Sequence, residues 1–229
     1  MVMPSVVRAV VRAAEENNTT GRLIPATRQR KWEDRRMPKP SLRDAIVDAA
    51  VSEFHQHGYA GAGVAGIAAA AGAPKGSFYN HFRSKADLAV AAADRFVAGN
   101  GGEILDDQSV PRALDRIVDQ FAFLGARLEE MGVVRGCLLG NLAADTAGDE
   151  PTVAAHVEGI FAVWASRLEA LVRAAQDAGD VDGSVDTTVT ADLLIALWEG
   201  VALRAKVHGD GAAARRQLDV GVRRLLGLS

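Results

Sequence analysis

A single cysteine, Cys137, occurs in the 229 residues, which excludes an internal disulfide framework and fits a reducing cytoplasm. No uncharged apolar run reaches the roughly 18 residues that a membrane span requires, so no membrane partner is expected. The N-terminus carries arginines and small apolar residues but no continuous apolar core, so no secretory signal is expected either. Alternating β-branched residues are also scarce. Alanine, leucine, arginine and glutamate dominate long stretches instead, and the expectation is an all-α protein. The 48% hydrophobic and 24% charged content is ordinary for a globular chain. The length allows a good core in one or two domains.

Acidic residues are missing from one window. The net charge is −3, yet residues 1–36 carry +4, residues 37–99 carry +1 and residues 100–229 carry −8. Phe54–Ala86 holds Lys75, Arg83 and Lys85 and no Asp or Glu. A basic window on an acidic chain points to a polyanion bound at one end. An accidental gap in the acids is the alternative on charge alone.

Residues 1–36 read as a flexible basic extension. Asn17–Gly21 ends any helix over Pro4–Glu16, and Pro25, Pro38 and Pro40 break the charged stretch that follows. Met37 is a candidate functional start, which an intact mass of the native protein would decide.

From Ser41 the helical signals are regular. Ser41–Asp44 and Ser84–Asp87 are capping boxes, each a serine with an acid three residues on. Ile46, Ala50 and Phe54 recur at helical spacing, and Gly58 predicts a stop. A short helix over about 64–71, a turn at Gly72 and a helix over about 74–82 follow. Two short helices joined by a glycine turn, with a stabilising helix before them, are the plan of a helix-turn-helix. Phe78 and Phe82, four apart, would face inward. Lys75, Ser77, Tyr79, Asn80 and His81 would lie on exposed sides, where such side chains donate to phosphates and base edges. Beyond residue 100, helices are predicted over about 110–131, 137–147, 151–178, 187–207 and 211–226.

Gly72–Leu88, with Gly58-Tyr59 and Ile67–Ala71 before it, resembles the DNA-binding domain of TetR-family regulators. The likeness covers about residues 41–95. It implies a three-helix DNA-binding domain at 37–99 and a helical effector-binding and dimerisation domain at 100–229. By this resemblance Lys75, Ser77, Tyr79, Asn80 and His81 face DNA and Lys85 contacts phosphate. Two departures stand out. Gly61-Ala62-Gly63 replaces the hydroxyl residue that many relatives place before the second helix, and Pro74 stands where serine is common. The implied function is a dimeric repressor on a palindromic double-stranded operator, released by a small-molecule effector.

Enzyme chemistry finds little support. Gly61, Gly63 and Gly66 match a dinucleotide fingerprint, but that motif needs a strand before it, and Asp44–His57 is helical by spacing. His55 and His57 are two apart and cannot jointly hold a metal on one helix face. No cofactor is expected. A small helical enzyme, or a structural helical dimer that ignores DNA, remains the alternative.

The second half resembles the family's sensor region. Its last two long helices correspond to the usual dimer interface, with Leu193, Leu194, Leu197, Val201 and Leu203 as seam candidates or, alternatively, monomer core. Phe121, Phe123, Cys137, Leu138, Phe161, Trp164 and Trp198 are candidates for lining an effector pocket, each also suited to the core. Arg135–Leu142 looks like a segment of the subgroup that answers electrophiles and acrylate. A helix beginning at Cys137, with Arg135 beside it, would stabilise a thiolate and suit electrophile sensing. The other reading of Cys137 is a small buried apolar residue.

Overall fold

The computed structural model describes residues 41–74, 76–130 and 135–228. The expected basic extension, and Lys75, lie outside the described residues. The order of elements is α1 (Leu42–Gly61), α2 (Val64–Ala70), a 3₁₀ turn (Phe78–Asn80) and α3 (Lys85–Ala98). A second 3₁₀ turn (Gly102–Asp106), α4 (Ala113–Glu130), α5 (Leu138–Thr146), α6 (Pro151–Asp177), α7 (Thr187–His208) and α8 (Gly211–Leu225) follow. The described residues contain no strand, and they belong to one compact unit, Pro40–Ser229.

The helix starts follow the local chemistry read from the chain. Ser41 Oγ accepts the Asp44 N–H at 3.1 Å, and Ser84 Oγ accepts the Asp87 N–H at 3.0 Å. Asp186 and Asp210 cap α7 and α8 in the same manner, at 3.0 and 2.8 Å. Each cap satisfies an N–H that has no partner in the first turn of a helix. Pro151 opens α6, where its missing N–H costs nothing.

Gly58 does not end α1 where a stop was expected. Its backbone is left-handed (φ 72°), and it kinks α1 rather than ending it, so that three further residues wind on to Gly61. A Cβ there would stand 2.6 Å from Asp145 Oδ2, the atom that accepts the Tyr59 N–H at 2.8 Å. Only glycine permits both the backbone and that approach.

α4 packs on α8, α6 on α7, and α1 on both α3 and α5. The stripe Ile117, Phe121, Leu124 and Leu128 is buried as its spacing requires. The described chain has no helix long and apolar enough to cross a membrane. Gly61 ends α1, Gly63 caps α2 and Gly66 lies inside α2, so a helix and not a strand precedes these glycines and they do not form a dinucleotide-binding turn.

Candidate functional site

The DNA-reading head is built on a tight turn. α2 ends in a Schellman arrangement: the Ala73 N–H reaches Ala68 O at 2.9 Å and the Gly72 N–H reaches Ala69 O at 3.0 Å, with Gly72 left-handed at φ 65°. The following segment differs from the helix expected over 74–82. It winds by three-residue steps, Ser77 N–H to Pro74 O at 2.8 Å and His81 N–H to Phe78 O at 2.9 Å, and only Phe78–Asn80 is regular. The Ser77 hydroxyl donates back to Pro74 O at 2.7 Å, a local bond that competes with α-helical winding, and Gly76 disfavours helix further.

Phe78 and Phe82 anchor this turn in the core, both buried, with ring centroids 5.7 Å apart. Tyr79 is thereby turned outward and is 70% exposed, and Asn80 and His81 are exposed beside it. Ser77 is half-buried behind them. Lys85 stands apart from this edge. Its ammonium lies 4.5 Å from the Tyr59 ring centroid and 3.5 Å from Ala60 O, and burial lowers its pKa. A phosphate would compete with that cation–π contact. Burial, with Glu150 adding to it, pushes the Tyr59 phenol up to about 12, so its ring meets Lys85 uncharged. Arg43 was not singled out by sequence. It lies exposed with its guanidinium 5.1 Å from the Phe82 ring centroid, beside the reading turn, and its position inside the Ser41 capping box was the only available signal.

A cavity of about 410 Å³ lies among α3, α4, α5, α6 and α7. Cys137, Trp164 and Trp198 line it; Phe121, Phe123, Leu138 and Phe161 do not. Phe121 is buried one layer behind, stacked on Trp164 at 6.0 Å. Phe123 packs under Gly101, Leu138 is core, and Phe161 faces a separate groove between α5 and α6. Sequence reading missed Asn100, Gln120, His156 and Arg167, polar residues of the wall, because only packing shows which helix faces converge.

Gln120, His156 and Arg167 are engaged within the protein. The Trp164 indole N–H donates to Gln120 Oε1 at 2.9 Å, and the Gln120 amide donates to Gly101 O at 3.4 Å. Arg167 donates to Gly102 O at 2.7 Å and pairs with Asp106. His156 meets Asp94 of α3 at 2.7 Å. The remaining wall, from Phe96 and Val97 to Ile160 and Val163, is mostly apolar, with Asn100 as its further polar residue.

Cys137 corrects an expectation. It does precede the first residue of α5, but its thiol is buried, and burial, with Glu199 adding to it, pushes its pKa up. The thiolate stabilisation expected from the helix N-terminus and Arg135 is outweighed by loss of water. Cys137 is buried and belongs to the cavity wall.

The last two helices divide the seam candidates. Leu194 and Val201 are buried within the monomer, Leu197 is half-buried, and Leu193 and Leu203 are exposed. Val189 and Val207 extend the exposed set along α7.

Residues 46–92 match the family described as bacterial regulatory proteins, tetR family, and residues 113–220 match the tetracyclin repressor-like C-terminal domain. The chain is 32% identical over 175 residues to the HTH-type transcriptional repressor DhaR of Mycobacterium sp. (strain GP1), across 75% of this chain and 86% of that protein. It is 33% identical over 184 residues to the transcriptional regulator AcuR of Cereibacter sphaeroides, across 78% and 83%. A crystal structure of regulatory protein TetR from Rhodobacter sphaeroides superposes with a TM-score of 0.72 at 29% identity, covering 80% of this chain and 98% of the other. The chain belongs to the TetR family of transcriptional regulators, and it is a ligand-responsive DNA-binding protein rather than an enzyme. Members of the family act as dimers.

Proposed function

We propose that this chain represses transcription in the cytoplasm as a homodimer on a palindromic operator, and that a neutral, mostly apolar molecule filling the cavity releases it. Residues 37–99 act as the DNA-reading part and 100–229 as the sensing and dimerising part. One observation carries this reading. α3 meets the cavity at its C-terminal end through Phe96 and Val97, while its N-cap, Ser84, closes the reading turn at the other end. A helix of 14 residues is about 21 Å long, so a small tilt at one end displaces the turn at the other.

On the DNA side, Tyr79, Asn80 and His81 form the exposed edge that reads bases and phosphates, with Lys75 and Ser77 supporting it and Lys85 at its border. On the dimer side, Val189, Leu193, Leu203 and Val207 form one exposed apolar stripe on α7, joined by Val220 of α8. A second copy of the chain covering it would set two reading turns about one DNA turn apart, roughly 34–36 Å. The ligand class follows from the wall. Gln120, Trp164, Arg167 and His156 already have partners, so a charged guest would have to displace an ion pair or sit beside apolar surface.

A matched pair of probes tests this. Methyl 2-naphthoate is expected to quench tryptophan emission and weaken a gel shift on DNA selected by the protein from a random pool. Anionic 2-naphthoate is expected to do neither. Binding of the anion in preference to the ester would overturn the ligand class while leaving the regulator intact.

A further inference from the structure

α5 is tied to α1 at both of its ends. Before its first turn, the Gly136 carbonyl accepts a 2.8 Å hydrogen bond from Nε2–H of His55, a buried bond between groups 81 residues apart. Near its last turn, Asp145 Oδ2 accepts the Tyr59 N–H at 2.8 Å. His55 and Tyr59 lie on either side of the Gly58 kink of α1, the helix that packs on α2 and α3 of the DNA-reading head. α5 therefore lies on the DNA-reading head as a splint fastened at two points.

The first of those fastenings adjoins the cavity. Gly136 directly precedes Cys137, whose side chain is part of the cavity wall. The His55 ring also meets Phe96 edge-on, with centroids 5.5 Å apart, and Phe96 is wall as well. His55 thus touches α3 through a ring contact and the α5 approach through a hydrogen bond, while itself belonging to α1. A carbonyl can only accept, so the ring carries its proton on Nε2. Burial, with Arg135, Lys206 and Arg127 adding to it, holds the pKa of His55 below the usual histidine value, so the ring stays neutral.

We propose that His55 is the positioning residue that couples the effector cavity to the DNA-reading head, by making α1 move with the Gly136–Cys137 segment. The reasoning rests on the reading of this cavity as the effector site. Water cannot replace either partner of a buried bond, so parting them leaves two unpaired polar groups. A guest that displaces Cys137 or Phe96 therefore carries the Gly136 carbonyl, His55 and α1 along together. By linkage the same route runs in reverse: operator binding at the head changes how readily the Cys137 segment opens.

Cys137 is the sole cysteine of the chain, so its exchange with 5,5′-dithiobis(2-nitrobenzoate) reports opening of this segment alone. His55→Leu removes the donor, His55→Asn has an amide too short to reach Gly136, and His55→Gln keeps an N–H near the Nε2 position. Exchange is expected to rise about tenfold in His55→Leu and His55→Asn and to stay within about twofold of the native rate in His55→Gln, because local opening no longer breaks a buried bond. On DNA selected by the protein from a random pool, the native chain and His55→Gln should exchange more slowly than when free. His55→Asn should bind the same DNA and show no such protection.

Equal exchange in the native chain, His55→Gln and His55→Asn overturns the proposal, and so does protection by DNA that persists in His55→Asn. Should His55→Leu fail to fold, the Asn and Gln pair carries the comparison. The DNA-free rates are independent of operator recognition, so failure to select DNA would count against the operator reading and leave the coupling result standing.

Discussion

A carboxylate oxygen of Glu199, on α7, occupies the space that a Cβ on Gly140, in the first turn of α5, would need. Gly140 is the vacancy that lets α7 bring an acid against α5, next to the buried Cys137 thiol. The other carboxylate oxygen of Glu199 is buried without a hydrogen-bond partner among the described residues, and burial raises the Glu199 pKa. Gly140→Ala should therefore cost about 1–3 kcal/mol by overpacking. In a Glu199→Ala background the same change should cost less than about 1 kcal/mol, because the crowding atom is gone. Urea unfolding of the four variants in that cycle measures the coupling.

His55 makes stability depend on pH. Its folded pKa lies below the ordinary 6.5, so the folded state binds its proton less readily than the unfolded chain. That contribution is fully present above 6.5 and is lost as pH falls from there through the lowered value. The cations facing it, Arg135 before α5, Lys206 of α7 and Arg127 of α4, oppose protonation in the folded state. His55→Gln should flatten the change in urea midpoint between about pH 7 and pH 5. An unchanged slope would assign the acid loss to other groups.

The exposed edge of the reading turn separates binding from folding. Tyr79 meets the Phe78 ring edge-on, with centroids 5.1 Å apart, and is 70% exposed. Tyr79→Ala and Asn80→Ala should each weaken operator binding by about 1–3 kcal/mol. Thermal midpoints should move by only a few degrees, since surface changes cost roughly half a kcal/mol or less. Phe78→Ala is the contrasting control: the ring is fully buried, and about 3–5 kcal/mol of stability should go with it.

The α7 stripe can be tested in the same way. Leu203 is 62% exposed and Val207 is 78% exposed, so Leu203→Glu with Val207→Glu should leave the monomer folded. Sedimentation should then show a single chain where the native protein sediments as a dimer, and operator affinity should fall because each half-site is bound alone. A dimer that survives both changes would place the interface elsewhere. Val201→Glu, at 6% exposure, should instead destabilise the fold itself.

Much of this protein is determined by its sequence. Ser41, Ser84 and Gly72 mark their helix ends through bonds to residues at most five positions away, and such bonds need nothing but the local chain. The stripe of α4 and the inward Phe78 and Phe82 follow from a period of 3.6 residues. The reading turn was legible in residue type and exposure, but its winding was not. There the Ser77 hydroxyl competes with the helix for a backbone carbonyl, a balance too fine for propensity to decide.

Tertiary structure decided the rest. Which aromatics face the cavity depends on how five helices rotate about their axes, and Phe121 and Trp164 end up in successive layers although both are apolar and large. Leu193 and Leu194 are neighbours in sequence, yet one is exposed and the other fully buried. Cys137 shows the limit most plainly. Its sequence neighbours, a helix start and an arginine, favour a thiolate, while burial and Glu199, brought to it from 62 positions away, favour the neutral thiol. Charge neighbours along a chain act through water, whereas neighbours made by folding act after the water has been removed, and the second interaction is the stronger.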